Sequence, residues 1–394
     1  MKIVDVKCHV LLDPDYDAGA TSSAQDDIVV EIVTDEGLTG VGESDVNPWI
    51  ARACIEAPGT HTMGRGLTEM LLAADPLDVE ATWEALYVGS AMNGRRGAVI
   101  HALGAIDMAL HDLRGKALGM PCYEFLGGAV RDRVRPYASL QPDQASFASY
   151  KASLAEWACA AQRIGFTAAK LEVTLAGAYA HLGLHAKIDR IVEVIAAARE
   201  AVGPDMTLMI DAQYSFPDSA TCRTVIREWE PFGIYFLETP LPSDDVDGYA
   251  TLVAEQPIPI AQGEWLATRF EFDELLRRKA VGVAQPDIGR VGGLTEARRV
   301  VQLADSAGVP VVPHIWKTGI SIAAGVHLAA TTGSIPLVEF LPRELSSSSL
   351  RRSLLSSELE MEDGELLVPR APGLGVEIDR DALEHFEAAA DRAG

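Results

Sequence analysis

"MTLMIDAQYSFPDSATCRTVIREWEPFGIYFLETP", residues 206–240, holds two short apolar runs on either side of an amphipathic stretch, and the runs carry Asp211 and Glu238 at their C-terminal ends. Short buried runs alternating with amphipathic helices are the mark of βα units and a parallel sheet. From about residue 134 the same texture continues through eight runs: VRPYASL, TAAKLEV, MTLMID, IYFLETP, IPIAQGE, VGVAQPD, VPVVPHI and LVEFLP. Eight such strands argue for a closed barrel. The rival, an open doubly wound sheet, announces itself by a glycine-rich phosphate loop after its first strand, and no G-x-G-x-x-G or G-x-x-x-x-G-K stands there.

Every run from the second onward closes on an ionisable residue: Lys170, Asp211, Glu238, Glu264, Asp287, His314 and Glu339. After Asp211 the gaps are 27, 26, 23, 27 and 25 residues, one βα unit each. In a parallel barrel the C-terminal strand ends meet at one mouth, where active sites are assembled from several strands. Any one of these groups could be a helix cap or a loop ion pair. Five carboxylates gathered without a cation would be prohibitively costly, so the set as a whole points to a site. Asp211, Glu238 and Glu264 come from adjacent strands and, with water or substrate oxygens, suit a hard octahedral cation, Mg²⁺ before Ca²⁺ or Mn²⁺, and no Cys or His joins them to favour zinc. His314 and Asp287 end neighbouring strands, where a carboxylate on one imidazole nitrogen makes the other a general base or acid. Lys170 lies across the mouth, so two proton-transfer groups flank whatever the metal holds. Lys170 and Glu172 share a face of their strand, and an internal ion pair is the plain reading of that spacing.

Ahead of the barrel, residues 3–12, 27–35 and 38–45 read as an antiparallel meander whose last turn, TDEGLTG, uses Gly37. Helical patterns follow at 64–74, 77–90 and 95–119, the last ending on Gly119 before Pro121. Residues 13–26 and 46–63 read as irregular loops. The expected organisation is α/β: an N-terminal α+β capping domain over 1–130, a TIM-like barrel over 131–359, and a tail from about 360 to 394 packing back on the cap.

The chain has 394 residues, 48% of them hydrophobic, and a formal charge of -24 from 33 basic and 57 acidic residues. That charge repels phosphate backbones and anionic membranes, so nucleic acid and membrane are not expected partners. Five cysteines at 8, 54, 122, 159 and 222 lack C-x-x-C spacing and read as reduced thiols. With neither a signal-like N-terminus nor an apolar run of membrane length, a cytoplasmic location is expected.

The ordered motifs GAIDMALHDLRGKALGMPCYEFLGG (104–128), MIDAQ, FLETPLP, AQGEW, AQPDIGRVGGLTEA, VVPHIWKTG and LVEF resemble those of the enolase superfamily, and within it the mandelate racemase group, over essentially the whole chain. The resemblance implies a (β/α)7β barrel under a capping domain and a homo-oligomer, from dimer to octamer. It implies Mg²⁺ on Asp211, Glu238 and Glu264, a catalytic His314–Asp287 dyad, and Lys170 as the base or acid of the other face, an arrangement known for that superfamily. Gln213 stands where the group often has Asn and is expected to hydrogen-bond near Lys170 or the substrate. Glu339 is expected to contact the substrate carboxylate or act as an acid. The two cap loops would close over the substrate, with Tyr16, Asp45, Trp49, Arg290 and Lys317 as candidates for selectivity. Glu172 departs from the group's K-x-K: a carboxylate there would hold Lys170 protonated, making it a proton donor or electrostatic clamp and leaving α-proton abstraction to His314. The expected reaction is Mg²⁺-dependent dehydration of a sugar acid. An epimerase, racemase or lactone cycloisomerase shares the enediolate, and a non-catalytic metal-binding barrel is the alternative from another class.

Overall fold

Gly37, at φ 79°, closes the turn that the sequence requires of it. The strands it joins, β2 (Asp26–Thr34) and β3 (Thr39–Ser44), pair antiparallel and β2 pairs in turn with β1 (Ile3–Leu12). The structure, a computed structural model, describes residues 1–19, 22–142, 146–180, 186–357 and 359–393. Four helices complete the cap: α1 (Pro48–Glu56), α2 (Leu67–Leu72), α3 (Val79–Ser90) and α4 (Ala98–Leu118). The first of them corrects the reading of 46–63 as irregular. Asn47 accepts from the Ile50 amide and Pro48 sits in the first turn, which together start a helix that buries Ala51 and Ile55.

After α5 (Cys122–Phe125) the chain enters the barrel through β4 (Arg133–Val134) and β5 (Pro136–Leu140). Then α6 (Phe147–Arg163), β6 (Ala168–Glu172), α7 (Ile191–Val202), β7 (Thr207–Asp211), α8 (Ser219–Ile226), β8 (Ile234–Glu238), α9 (Val246–Glu255), β9 (Ile260–Gln262), α10 (Thr268–Arg277) and β10 (Val283–Ala284) alternate. Next come α11 (Ile288–Val291), α12 (Leu294–Ser306), α13 (Gly319–Ala330), β11 (Val338–Phe340) and α14 (Ser349–Ser353). Seven strands form one parallel sheet in the order β10-β9-β8-β7-β6-β5-β11. The seventh expected run, VPVVPHI, forms no continuous strand, because Pro310 and Pro313 lack the amide that a ladder needs. It still joins the β10 side by parallel bridges Ala284↔Val311 and Asp287↔His314, and toward β11 the Val311 amide donates to the Ser334 carbonyl oxygen.

The barrel interior is filled by Tyr137, Ala168, Met209, Phe236, Ala261, Val283, Val312 and Leu337, one from each of the eight staves. Strand side chains two apart share a face. Stepping two residues toward the C-terminal end from Ala168, Met209, Phe236, Val312 and Leu337 gives Lys170, Asp211, Glu238, His314 and Glu339. The apolar plug thus fixes where each ionisable group points. From Tyr137 and Val283 the same step gives Ser139 and Gln285, with Asp287 two residues further; Ala261 breaks the count, since two steps on stands Gly263 at φ 127°, with Glu264 one residue later. A Cβ at Gly263 would meet Phe272 at 2.6 Å, so the bend that returns Glu264 to the mouth depends on glycine.

Cap and barrel are joined through backbone and buried charge. A Cβ on Gly104 of α4 would lie 1.8 Å from the Gly289 carbonyl oxygen. Asp107 of α4 accepts from the amide and hydroxyl of Thr295, in the first turn of α12, whose N-cap, Gly293, has no side chain to cap it. Glu43 of β3 accepts from the amides of Thr318 and Ser321 at the start of α13. The cap thereby supplies carboxylates to the N-termini of the helices that follow the staves of Asp287 and His314.

The tail forms β12 (Met361–Glu362) and β13 (Glu365–Leu367), the latter pairing with β4, and then α15 (Arg380–Ala393), which packs on β1. Glu31 ties this helix down: it lies 2.6 Å from Arg380 and 3.1 Å from His9, whose other ring nitrogen is 2.7 Å from Glu387. Burial works against the Glu31 anion, but the bonds from His9 and Arg380 outweigh it and bring its pKa down to about 2 from 4.5. Burial likewise opposes the His9 cation, and the bonds to Glu31 and Glu387 raise its pKa above 6.5. Glu31 therefore stabilises the fold above pH 4.5 and loses that contribution as pH falls toward about 2. His9 contributes fully below pH 6.5 and less as pH rises through its raised value. The substitution Glu31→Gln should cost about 1–2 kcal/mol in urea unfolding near pH 5–6, with a difference from wild type that shrinks below pH 4. A difference that stays constant from pH 6 to pH 2.5 would show that this cluster carries no charge-dependent stability.

Candidate active site

Lys170 projects inward from β6, and its Nζ lies 2.7 Å from Glu238 Oε1 and 2.8 Å from Glu339 Oε1. Burial would lower its pKa, but the charges of Glu238 and Glu339 hold it well above the ordinary lysine value. The carboxylates responsible are those two rather than Glu172, which is a correction to the account drawn from the sequence. Glu172 shares the face of Lys170 as expected, is buried, and accepts from Gln141 Nε2 at 3.1 Å. The expected ammonium state stands on a different cause.

Asp211, Glu238 and Glu264 occupy neighbouring stave ends, with Asp211 and Glu238 in register across β7 and β8. Each is fixed by neutral donors. Thr239 Oγ1 and the Gln213 amide donate to Asp211 Oδ1 at 2.8 and 2.9 Å. Gln285 Nε2 donates to Glu238 Oε2 at 2.5 Å, and the Tyr214 hydroxyl to Glu264 Oε1 at 2.5 Å. All three carboxylates are no more than 7% exposed. Burial, followed by the negative charge of Glu238, pushes the Asp211 carboxyl well above the usual range. With Glu339 beside them, the four carboxylates exceed what Lys170 and His314 can neutralise. An all-oxygen donor set with surplus buried negative charge fits a hard divalent cation.

A second group of possible ligands, Asp45, Asp287 and His314, has its donor atoms within 4.8 Å of one another. It suits a cation less well, because Asp45 is already paired with Arg290 and Lys317. His314 and Asp287 are partners across adjacent staves, with Nδ1 2.7 Å from Asp287 Oδ2. Nε2 faces the carboxylate group and lies 3.1 Å from Glu264 Oε2. Burial would lower the imidazole pKa, but Glu264, Glu339 and the Asp287 bond raise it to about 9. The second Asp287 oxygen accepts from the Arg290 amide, which fixes the dyad to the start of α11.

The pocket over these groups is lined by Lys170, Glu172, Asp211, Gln213, Glu264, Arg290 and His314, with Ser22 and Ser23 of the cap, Ser139 and Gln141. One wall is aromatic: Tyr214 stacks on Trp265 at 4.1 Å, Tyr179 meets Trp265 edge-on at 5.5 Å, and Trp316 stands nearby. Gln213 lines the pocket beside Lys170 and accepts from Thr174 Oγ1 at 2.8 Å. Glu339 is fully buried and does not line the cavity; it holds Lys170 and the Ile315 amide. Tyr16 and Trp49 are likewise absent from the lining, and Asp45 lies behind it. The sequence reading missed Gln285, although it stands two residues before Asp287 and so on the same face. The aromatic wall and the two serines sit on irregular segments, where no periodicity marks them.

Residues 2–127 match the model of the mandelate racemase / muconate lactonizing enzyme N-terminal domain, and residues 153–382 that of the enolase C-terminal domain-like family. The chain is 34% identical to D-galactarolactone cycloisomerase of Agrobacterium fabrum, covering 98% of this chain and 99% of that protein. It is 31% identical to arabinonate dehydratase of Saccharolobus solfataricus, covering 96% of each. The crystal structure of the 3,6-anhydro-D-galactonate cycloisomerase from Zobellia galactanivorans superimposes with a TM-score of 0.85 at 32% identity, over 98% of this chain and 99% of that one.

If Glu264 is a cation ligand, the Tyr214 hydroxyl orients it. Replacing Tyr214 with Phe keeps the ring on Trp265 and should weaken divalent-cation affinity by about tenfold, read by calorimetry. Unchanged affinity would remove the phenol from that role.

Proposed function

The chain belongs to the mandelate racemase and muconate lactonizing enzyme family of the enolase superfamily, and on that premise we propose that it abstracts the proton α to the carboxylate of a sugar acid and then expels the β-hydroxyl as water. The observation that carries the reading is the His314–Asp287 pair, with Nε2 3.1 Å from Glu264 in the cluster of three carboxylates, of which Asp211 and Glu264 line a pocket rich in hydrogen-bonding groups. Asp211, Glu238 and Glu264 would hold Mg²⁺. When bound, that ion supplies Lewis-acid stabilisation of negative charge on the substrate carboxylate.

The remaining steps fall to the side chains. Glu264 is the main charge that keeps the imidazole protonated; with that carboxylate engaged by the cation, Asp287, holding Nδ1, would present the Nε2 lone pair of neutral His314 to the α-proton. The C–H electron pair moves into the carboxylate, giving the enediolate. Lys170 is the electrostatic clamp on the other side, its charge maintained by Glu238 and Glu339, and Gln213 and Glu172 would bond substrate hydroxyls. Reprotonation by His314 of the departing β-hydroxyl breaks the C–O bond and releases water, and the resulting enol becomes the 2-keto acid. One imidazole suffices for both transfers when the eliminated groups are syn.

A second reading, lactone cycloisomerisation, is favoured by two of the relatives, which are named cycloisomerases. It uses the same first proton transfer and loses no water.

Incubation with a library of aldonic and aldaric acids and their lactones in D₂O with Mg²⁺ should give either a 2-keto acid lighter by one water or an isomer of unchanged composition carrying deuterium. A library yielding neither product nor α-deuterium would overturn the assignment. His314→Asn should lower turnover by about 10²–10⁴-fold while the fold is retained. Chelation should abolish turnover and added Mg²⁺ restore it; full activity in excess chelator would remove the cation from the reaction.

A further inference from the structure

Lys317 does not line the pocket, yet it is among the most completely engaged side chains near it. It stands three residues past His314 and is only 4% exposed. Its Nζ donates to the carbonyl oxygens of Ser23 and Asp26, at 2.5 and 2.7 Å. It also lies 2.8 Å from Asp26 Oδ1 and 3.1 Å from Asp45 Oδ1. The residues it grips, 22–26, form the strap by which the cap reaches over the pocket, and among the described residues Ser22 and Ser23 are the cap's contributions to the lining.

The barrel side of this contact is the fixed side. The Ile315 amide donates to Glu339, and the amide and hydroxyl of Thr318 donate to Glu43, so the loop carrying Lys317 is anchored at both ends. Arg290, from the neighbouring stave, bonds the carbonyl oxygen of Asp45 at 2.9 Å and pairs with its carboxylate. Asp45 is therefore shared between two cations, one beside each member of the His314–Asp287 pair. Two cations, Lys317 and Arg290, face two carboxylates, Asp26 and Asp45, and the buried charge is balanced only while strap and barrel are in contact. Asp27, behind the strap, has its carboxyl pushed well above the ordinary range by burial and by Glu43. Ser348 Oγ also donates to the Ala24 carbonyl, at 2.5 Å, a second side-chain hold of the barrel on the strap.

We infer that Lys317 is a positioning residue: by holding residues 22–26 against the barrel it sets the Ser22–Ser23 part of the pocket wall, where Ser23 Oγ donates to Asp45 Oδ2 at 3.2 Å, at a distance fixed relative to His314. The inference rests on reading the pocket as an acid-sugar site for its kinetic consequence, though not for its structural one. A lysine that lost this contact would leave the chemistry intact and the substrate poorly enclosed, which affects binding more than turnover.

The test compares wild type with Lys317→Met, Lys317→Arg and Asp26→Asn. Amide hydrogen exchange on the full chain without substrate should show residues 22–26 exchanging about tenfold faster in Lys317→Met, with α13 unchanged, an intermediate increase in Asp26→Asn and partial restoration in Lys317→Arg. Because this arm needs no turnover, a failure of the proposed reaction would leave it readable. With a turned-over sugar acid, KM should rise about tenfold in Lys317→Met with kcat changing less than threefold, and Lys317→Arg should recover part of the loss. Unaltered exchange at 22–26 would overturn the inference. So would a fall in kcat at constant KM, or an Arg variant no better than Met.

Discussion

Asp211, Glu238, Glu264 and Glu339 converge in a space largely closed to water, and most of what surrounds them follows from that crowding. Buried carboxylates without compensation cost several kcal/mol each, so each must be hydrogen-bonded, paired or metal-bound. Lys170 bridges two of them, the Tyr214 and Gln285 side chains are spent on two, and His314 faces a third. The groups assigned to chemistry are thus the same groups that make the barrel mouth tolerable as a structure. A change at one of them alters charge balance as well as reactivity.

Much of this was legible because strand side chains alternate. Once eight apolar runs are recognised, the residue two positions beyond each plug residue is committed to the mouth, and five of the staves obey that count. The count fails at Glu264, where Gly263 supplies an extra residue that no periodicity announces. It weakens at residues 309–315, where two prolines leave only isolated bridges. Helix α1 was hidden because its start depends on one Asn side chain and one proline rather than on a long apolar stripe.

The contacts least visible in the sequence are those between residues far apart in it. Asp45 meets Arg290, Lys317 meets Ser23 and Asp26, and Glu43 meets Thr318 across separations of some 245 to 294 residues. Nothing in the local sequence of either partner specifies the other. The K-x-E spacing in β6 shows the converse case: a local pattern suggested that Glu172 keeps Lys170 charged, whereas Glu238 and Glu339 do so from other staves. Proximity along a strand gave the right face and the wrong partner.

The absence of a side chain between Gly104 and Gly289 bears on how this protein can change over generations. Two backbones touch there, and on either side cap carboxylates complete barrel helices whose first amides would otherwise lie open. The cap is consequently not an interchangeable module. A barrel recombined with a cap from a relative would need both glycines, Glu43 and Asp107 to arrive together. Diversification therefore has more freedom in the strap and the loops at the pocket than in the joint between the domains.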